Sequence, residues 1–171
     1  ASTSAATTKT CASISWTPTA SGSYSITATY NSSSTTYLDD DTSNAATVAV
    51  PAAVTLTLTG GGQTGDIGSS LNMPVTISPA GAAGTLKLYA KLGTNPRVEV
   101  DSETHDGTGS QTLDWASPAN AGTYTMSVDF VPDNAALFAA ATSNTQTITI
   151  SKIQVSITVT TSVATVALGG G

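Results

Sequence analysis

Residues 115–130 read Trp115-Ala-Ser-Pro-Ala-Asn-Ala-Gly122-Thr-Tyr124-Thr-Met-Ser-Val-Asp-Phe130, and this stretch says most about the fold. From Tyr124 to Phe130 the apolar residues occupy every second position, as a half-buried β-strand requires. The preceding proline, asparagine and glycine favour a turn, because proline presets φ and the other two tolerate positive φ. The stretch therefore predicts a tight turn that leads into a strand with one buried face.

The same pattern occurs earlier in the chain. Trp16-Thr-Pro-Thr-Ala-Ser-Gly22-Ser-Tyr24-Ser-Ile-Thr-Ala-Thr-Tyr30 matches it. Two further blocks match in the same order: Thr42-Ser-Asn44 with Thr142-Ser-Asn144, and Val54-Thr-Leu-Thr-Leu-Thr59 with Val155-Ser-Ile-Thr-Val-Thr160. The offset stays between 99 and 101 residues, which predicts tandem domains with a period of about 100 residues.

The period divides the chain into three parts. We expect residues 1–51 to be the C-terminal half of a domain and residues 52–152 to be a complete domain. Residues 153–171 then form the first strand of a further domain, or a strand exchanged between subunits. We prefer a portion of a longer array, because residues 1–51 and 153–171 together lack the equivalents of two strands of the complete repeat.

Apolar residues alternate with polar ones in about seven short segments of the 52–152 region, separated by turn-forming glycine, proline and asparagine. This pattern predicts an all-β fold, specifically a tandem immunoglobulin-like antiparallel β-sandwich with Greek-key connections and about seven strands per domain. The apolar positions are Val54, Leu56, Leu58, Leu71, Met73, Val75, Ile77, Leu86, Leu88, Ala90, Val98, Val100, Leu113, Trp115, Tyr124, Met126, Val128, Phe130, Ile148 and Ile150.

Residues 118–138 resemble bacterial immunoglobulin-like repeats of the group 3 type. The resemblance lies in Ala121-Gly122-Thr-Tyr124, the alternating strand that follows, and the loop Asp133-Asn-Ala-Ala-Leu-Phe138. Residues 20–37 form a weaker copy, with Asn31-Ser-Ser-Ser where the family usually has a Gly-Asp or Pro-Asp turn. The resemblance implies a repeat of secreted or surface-anchored bacterial proteins, in stalks, adhesin arrays and filaments, or of phage virions.

The composition excludes several classes of function. Charged residues make up 9% of the chain, against about 25% in ordinary globular proteins. A net charge of −6 with five scattered basic residues gives no footprint for nucleic acid, and no run of apolar residues is long enough for membrane insertion. One cysteine forms neither an internal disulfide nor a thiolate cluster. A single histidine and no Gly-x-Ser-x-Gly motif predict that the chain is not an enzyme.

Two acidic clusters are candidate weak calcium sites, because calcium needs only oxygen ligands. They are Asp39, Asp40 and Asp41, and Asp101, Glu103 and Asp106. Neither follows an EF-hand pattern, so we prefer to interpret both as solvated acidic loops and expect no other cofactor. His105 is interpreted as part of a polar hairpin with Asp106-Gly107 as its turn. Alternation points Cys11 outward, although we favour a covered or inert thiol.

These observations predict a non-enzymatic structural repeat, extracellular or on the cell surface, that forms a rigid stalk or a self-assembling filament. Its partners would be neighbouring copies or adjacent repeats. The alternative is an adhesive module, on a cell or a virion surface, that recognises a glycan or a protein receptor. Such a module needs an exposed patch, for which Tyr37, Tyr89 and Phe138 are the candidates.

Overall fold

The computed structural model describes residues 12–31, 41–116 and 118–160. Its described residues contain strands and no helix, which confirms the prediction of an all-β fold. The strands are β1 (Gly22–Ile26), β2 (Thr29–Tyr30), β3 (Asp41–Thr42), β4 (Ala46–Val50), β5 (Thr55–Leu58), β6 (Thr64–Asp66), β7 (Ser70–Ser78), β8 (Gly84–Leu92), β9 (Val98–His105), β10 (Ser110–Ala116), β11 (Gly122–Pro132), β12 (Ala141–Thr142) and β13 (Gln146–Ser151).

Strands β5 to β13 build two sheets that enclose one core. The first sheet has the order β10-β7-β5, and the second has the order β6-β13-β11-β8-β9, with β12 also paired to β11. The pairs are antiparallel except that of β6 with β13, which is parallel. Seven of these strands have four residues or more, and β6 and β12 are shorter. The arrangement is a β-sandwich, in which each sheet buries one face against the other.

The core follows the alternation in the sequence. In β7 and β11 every second side chain is buried, and the residues between them are exposed or half-buried. Both sheets contribute to a single cluster, so the apolar faces stabilise each other. Its buried hydrophobic members are Leu56, Leu58, Leu71, Met73, Val75, Ile77, Ala82, Leu86, Leu88, Ala90, Leu113, Trp115, Tyr124, Met126, Val128, Phe130, Ile148 and Ile150.

Alternation predicts that Val98 is a buried core residue, and this prediction is wrong. Val98 is 61% exposed. It lies on β9, the edge strand of its sheet, where the register with β8 shifts between Leu88 and Tyr89. The register places Val98 opposite the buried Ala90, on the core-facing side of the sheet. Its exposure therefore reflects its position at the start of the edge strand and not a turn to the outer face.

The interpretation of His105 as part of a polar hairpin is also wrong. The strands on either side of residues 106–109, β9 and β10, belong to different sheets, so this segment crosses the sandwich instead of closing a hairpin. Gly107, with φ of +89°, places its carbonyl where it accepts a hydrogen bond from the Gly81 N–H at 2.9 Å. His105, at the end of β9, is only 1% exposed.

Strands β1 to β4 form a separate two-stranded ribbon, in which β1 pairs with β4 and β2 pairs with β3. We call this the first ribbon. The corresponding part of the sandwich, in which β11 pairs with β12 and β13, is the second ribbon.

A short segment joins the first ribbon to the sandwich. The Ala52 N–H donates to the Leu137 carbonyl at 2.7 Å, and the Ala139 N–H donates to the Ala52 carbonyl at 2.9 Å. Both hydrogen bonds reach the loop between β11 and β12. The junction at Ala52 is therefore part of the folded structure.

Candidate functional site

The first ribbon presents an aromatic pair at its start. The rings of Trp16 and Tyr24 meet edge to face, with centroids 4.8 Å apart and an interplanar angle of 69°. The Tyr24 hydroxyl donates to the Ala20 carbonyl at 2.7 Å, which holds the turn before β1 against the strand. Further along the ribbon, the Ala28 N–H donates to Ser43 Oγ at 2.9 Å, and the Ser43 N–H donates to the Ala28 carbonyl at 2.8 Å.

The second ribbon makes the same contacts about 100 positions later in the chain. Trp115 and Tyr124 meet at 4.9 Å and 66°, and the Tyr124 hydroxyl donates to the Asn120 carbonyl at 2.8 Å. The Val128 N–H donates to Ser143 Oγ at 2.9 Å, and the Ser143 N–H donates to the Val128 carbonyl at 2.8 Å. Ala28 and Ser43 make the same two hydrogen bonds in the first ribbon. Burial raises the pKa of Tyr124, so its hydroxyl keeps the proton that it donates.

The strand registers of the two ribbons also correspond. Tyr24 lies opposite Val48, as Tyr124 lies opposite Ile148. Further along, the first residue of β2 lies opposite Thr42, as Asp129 of β11 lies opposite Thr142. The ribbons therefore share both their pairing and their side-chain contacts.

The two ribbons differ in how far their apolar side chains are buried. Trp115 is 2% exposed, whereas Trp16 is 48% exposed. The sheet β10-β7-β5 covers the apolar face of the second ribbon, and no described segment covers that of the first. The exposed apolar side chains of the first ribbon and the segment before it are Ile14, Trp16, Ile26, Tyr30 and Val48. Together they form the candidate interaction surface of this chain.

A second exposed apolar segment follows β13. Val155, Ile157 and Val159 are 80%, 84% and 84% exposed, and residues 152–160 lie in none of the described strands. The alternation with Ser156 and Thr158 gives this segment the pattern of a strand with one apolar face.

Asp101 ties together the edges of the two sheets. Its Oδ1 accepts the Ser102 N–H and its Oδ2 accepts the Asp114 N–H of β10, both at 2.8 Å. A carboxylate at such a position on an edge strand also discourages pairing with another chain.

His105 lies at the end of the same strand. Its Nδ1 lies 3.1 Å from Gln111 Oε1. Its Nε2 is buried and has no hydrogen-bond partner within the described ranges. The imidazole is therefore enclosed by the sandwich and does not face solvent.

The candidate calcium ligands are placed as follows. Asp39 and Asp40 lie outside the described residues, and Asp41 Oδ1 accepts the Thr42 N–H at 2.8 Å. In the other cluster, Asp101 already accepts two main-chain bonds, and Asp106 accepts the Thr108 N–H at 3.0 Å. Across the described ranges, no three His, Cys, Asp or Glu side chains group closely enough to hold a metal ion. Calcium binding by these residues and Glu103 stays a prediction.

An ionic network lies on the outer face of the larger sheet. Arg97 forks onto the Asp129 carboxylate at 2.7 and 3.1 Å, and its guanidinium stacks 4.1 Å from the centre of the Tyr89 ring. Lys87 donates to Glu99 at 3.0 Å, and this bond raises the pKa of Lys87. Lys87 and Glu99 lie on the neighbouring strands β8 and β9, whereas Arg97, just before β9, reaches across β8 to Asp129 on β11.

The residues predicted for an adhesive patch do not come together among the described residues. Tyr89 is stacked under Arg97, Phe138 packs against the core, and Tyr37 lies outside the described residues. Cys11 also lies outside the described residues, so whether its thiol is covered or faces outward stays a prediction. The described part of the chain also has no helix that is long and apolar enough to cross a membrane.

The role of Asn144 was not anticipated from the sequence. Its carboxamide accepts the Leu58 N–H at 2.8 Å and donates to the Leu58 carbonyl at 3.0 Å, which anchors β5 to the second ribbon. The recurrence of Thr-Ser-Asn at residues 42–44 and 142–144 was the available signal.

No protein-family model and no curated protein matches the chain. Among solved structures, the chain is similar to one from a structure described as "Structural basis of T cell specificity and activation by the bacterial superantigen toxic shock syndrome toxin-1". The identity is 8% and the TM-score 0.43, with 57% of this chain and 98% of that chain covered. A likeness at this level carries no argument about function.

Proposed function

We propose that the chain belongs to a tandem array of immunoglobulin-like β-sandwiches and serves as a non-enzymatic structural repeat, in a rigid extracellular stalk or a self-assembling surface filament. In this proposal residues 1–51 end one repeat, residues 52–152 form the next and residues 153–171 begin a third. The observation that carries it is the correspondence of the two ribbons, which share ring geometry, hydrogen bonds and strand register.

The immunoglobulin-like part of the proposal is supported by the sandwich topology and by Tyr124. In immunoglobulin-like domains a tyrosine near the start of the sixth strand bonds back to the main chain a few residues upstream. Tyr124 does so to Asn120, and Tyr24 does so to Ala20. Two such corners in one chain favour two copies of the same domain type.

The rigidity of the stalk is supported by the junction at Ala52. Four residues separate β4 from β5, and Ala52 among them exchanges two main-chain hydrogen bonds with the loop at Leu137 and Ala139. A linker that is bonded in this way has less freedom than a solvated one.

A non-enzymatic role is supported by the placement of His105. As the sole histidine of the chain, it is the natural general base for a serine or threonine nucleophile. It is 1% exposed and lies within hydrogen-bond distance of Gln111, so an exposed hydroxyl cannot reach it.

Small-angle X-ray scattering of proteins with one, two and three tandem copies of residues 52–152 tests the proposal, since this range holds every strand of the sandwich. We expect the maximum dimension to increase by an equal step with each copy, as in a rod. A matched series with a flexible Gly-Ser linker between copies should grow less than linearly. If the maximum dimension grew less than linearly, and equally, in both series, the rigid stalk would be overturned. Binding of the single copy to a glycan array would favour the adhesive alternative.

A further inference from the structure

Side chains join the first strand of the sandwich to its last. The Asn144 carboxamide bonds both main-chain groups of Leu58, and Gln146 Nε2 adds a third bond to the Leu58 carbonyl at 2.8 Å. We call these three hydrogen bonds the carboxamide clamp. The clamp connects β5 directly to the start of β13, so the two strands at which the chain enters and leaves the sandwich hold each other.

Main-chain hydrogen bonds continue this connection beyond the clamp. The Gly62 N–H donates to the Thr147 carbonyl at 2.8 Å, and β6 then pairs in parallel with β13. As the chain advances from residue 58 to residue 66, its bonding partners advance from residue 144 to residue 151. The two segments therefore run side by side in the same direction.

The direction of these segments decides how they carry tension. Tension along the chain enters the sandwich before β5 and leaves it after β13, since residues 1–51 precede the sandwich and residues 153–171 follow it. The two parallel segments are then pulled from opposite ends and slide along each other. Hydrogen bonds between strands run mainly across the strand direction, so sliding loads them together instead of opening them one at a time.

The clamp is placed where its hydrogen bonds are strong. Leu58 is fully buried, and all three bonds of the clamp are partly shielded from solvent. A shielded hydrogen bond is electrostatically stronger than one in water, and breaking it leaves a polar group without a partner. Since β5 is the edge strand of its sheet, the clamp supplies bonds that a further strand would otherwise make.

We propose that the carboxamide clamp is the load-bearing contact of the sandwich: when the chain is stretched through its two ends, Asn144 and Gln146 resist the sliding of β5 past β13. The inference rests on the proposed structural function, in which a stalk transmits tension between the bodies that it connects. The bonds of Asp101 to Ser102 and to Asp114 lie on β9 and β10, which are not terminal strands, and they carry little of this load.

Force spectroscopy of the 171-residue chain, held by peptide tags at its two ends, tests the proposal. Asn144→Ala should raise the unfolding rate of the sandwich at a fixed force by about tenfold, because two loaded hydrogen bonds are lost. Gln146→Ala removes one bond of the clamp and should raise the rate by about threefold. Circular dichroism checks that each variant is folded, and Gln146→Ala alone decides the test where Asn144→Ala does not fold.

Asp101→Ala is the matched control. It also removes a side chain that bonds two main-chain groups, so it destabilises the sandwich in a comparable way. Its bonds lie off the path of the load and persist until after the barrier to unfolding is crossed. It should therefore raise the unfolding rate at the same force by less than about twofold.

A second pulling direction separates load from general stability. Thr94→Cys and Thr104→Cys place handles at two exposed positions, in a Cys11→Ser background that removes the sole native cysteine. Force applied between these handles acts along β9 and not on the terminal strands. In this direction Asn144→Ala and Gln146→Ala should each change the unfolding rate by less than about twofold.

Two results would overturn the inference: clamp variants that unfold no faster than Asp101→Ala when the chain is pulled from its ends, or clamp variants with equal effects in both pulling directions. The outcome is separable from that of the scattering experiment, which measures the dimensions of copies under no load. A rod whose clamp carries no load leaves the stalk proposal standing, and a flexible array whose clamp carries load removes the rigid stalk alone.

Discussion

Two tryptophans at equivalent positions differ in what surrounds them. Trp115 is 2% exposed in the core, and Trp16 is 48% exposed beside the first ribbon. Trp115→Ala should lower the free energy of unfolding of the sandwich by about 3–5 kcal/mol, as loss of a large buried side chain does. Trp16→Ala should change it by less than about 1 kcal/mol. Urea unfolding followed by circular dichroism measures both, and equal effects would contradict the assignment.

Asp106 gives a prediction about pH. Hydrogen bonds from Thr108 favour the charged carboxylate and hold the pKa of Asp106 below its ordinary value of 3.8. Because the folded pKa is lowered, the contribution of this group to stability is present above the unfolded pKa and is lost as the pH falls through the folded one. Asp106→Asn should therefore be less stable than the parent at neutral pH, with a difference that shrinks in acid.

Carbon NMR of the Asp106 carboxyl measures the pKa directly. Thr108→Ala removes the side-chain donor and keeps the main-chain one, so it should move the pKa part of the way back towards 3.8. An unchanged pKa in this variant would show that the Thr108 hydroxyl plays no part.

Among the strands, the edges of the two sheets are joined where β9 passes β10. Asp101 accepts the Asp114 N–H of β10, whereas the Glu103 side chain, two residues further on β9, makes no hydrogen bond with the described residues. Asp101→Ala should cost about 1–3 kcal/mol, because main-chain donors lose a charged acceptor. Glu103→Ala, the matched control, should stay within about 0.5 kcal/mol. Chemical unfolding compares the two, and similar losses would contradict a role in joining the sheets.

For the molecule as a whole, the junction at Ala52 governs whether successive units move together. The Ala52 and Ala139 N–H groups are hydrogen-bonded across it, so their amide exchange should be slow. Ala52→Pro removes one donor and should increase the motion of the first ribbon relative to the sandwich, as seen by nitrogen relaxation. Fast exchange of both amides in the parent chain would show that the junction is loose.

The amino-acid pattern was sufficient to predict the seven longer strands of the sandwich and most of their buried faces, but not the short strands β6 and β12. Alternation placed Leu71, Met73, Val75 and Ile77 in the core, because a strand turns successive side chains to opposite faces. The matched sequence blocks also predicted the two turns, before β1 and before β11, to which the Tyr24 and Tyr124 hydroxyls donate hydrogen bonds. Each of these features depends on residues that are close in the chain, and local pattern therefore predicts it.

Which of the matched apolar faces is covered depends on the tertiary fold. Trp16 and Trp115 have similar neighbours in sequence, yet Trp115 pairs on β10 with Leu71 of β7, and no described strand pairs with Trp16. Long-range pairing also decides the edge position of β9, where Val98 is exposed, the burial of the sole histidine, and the bonds of the Asn144 carboxamide to β5. Each depends on contacts between strands that are distant in the chain, which no local pattern specifies.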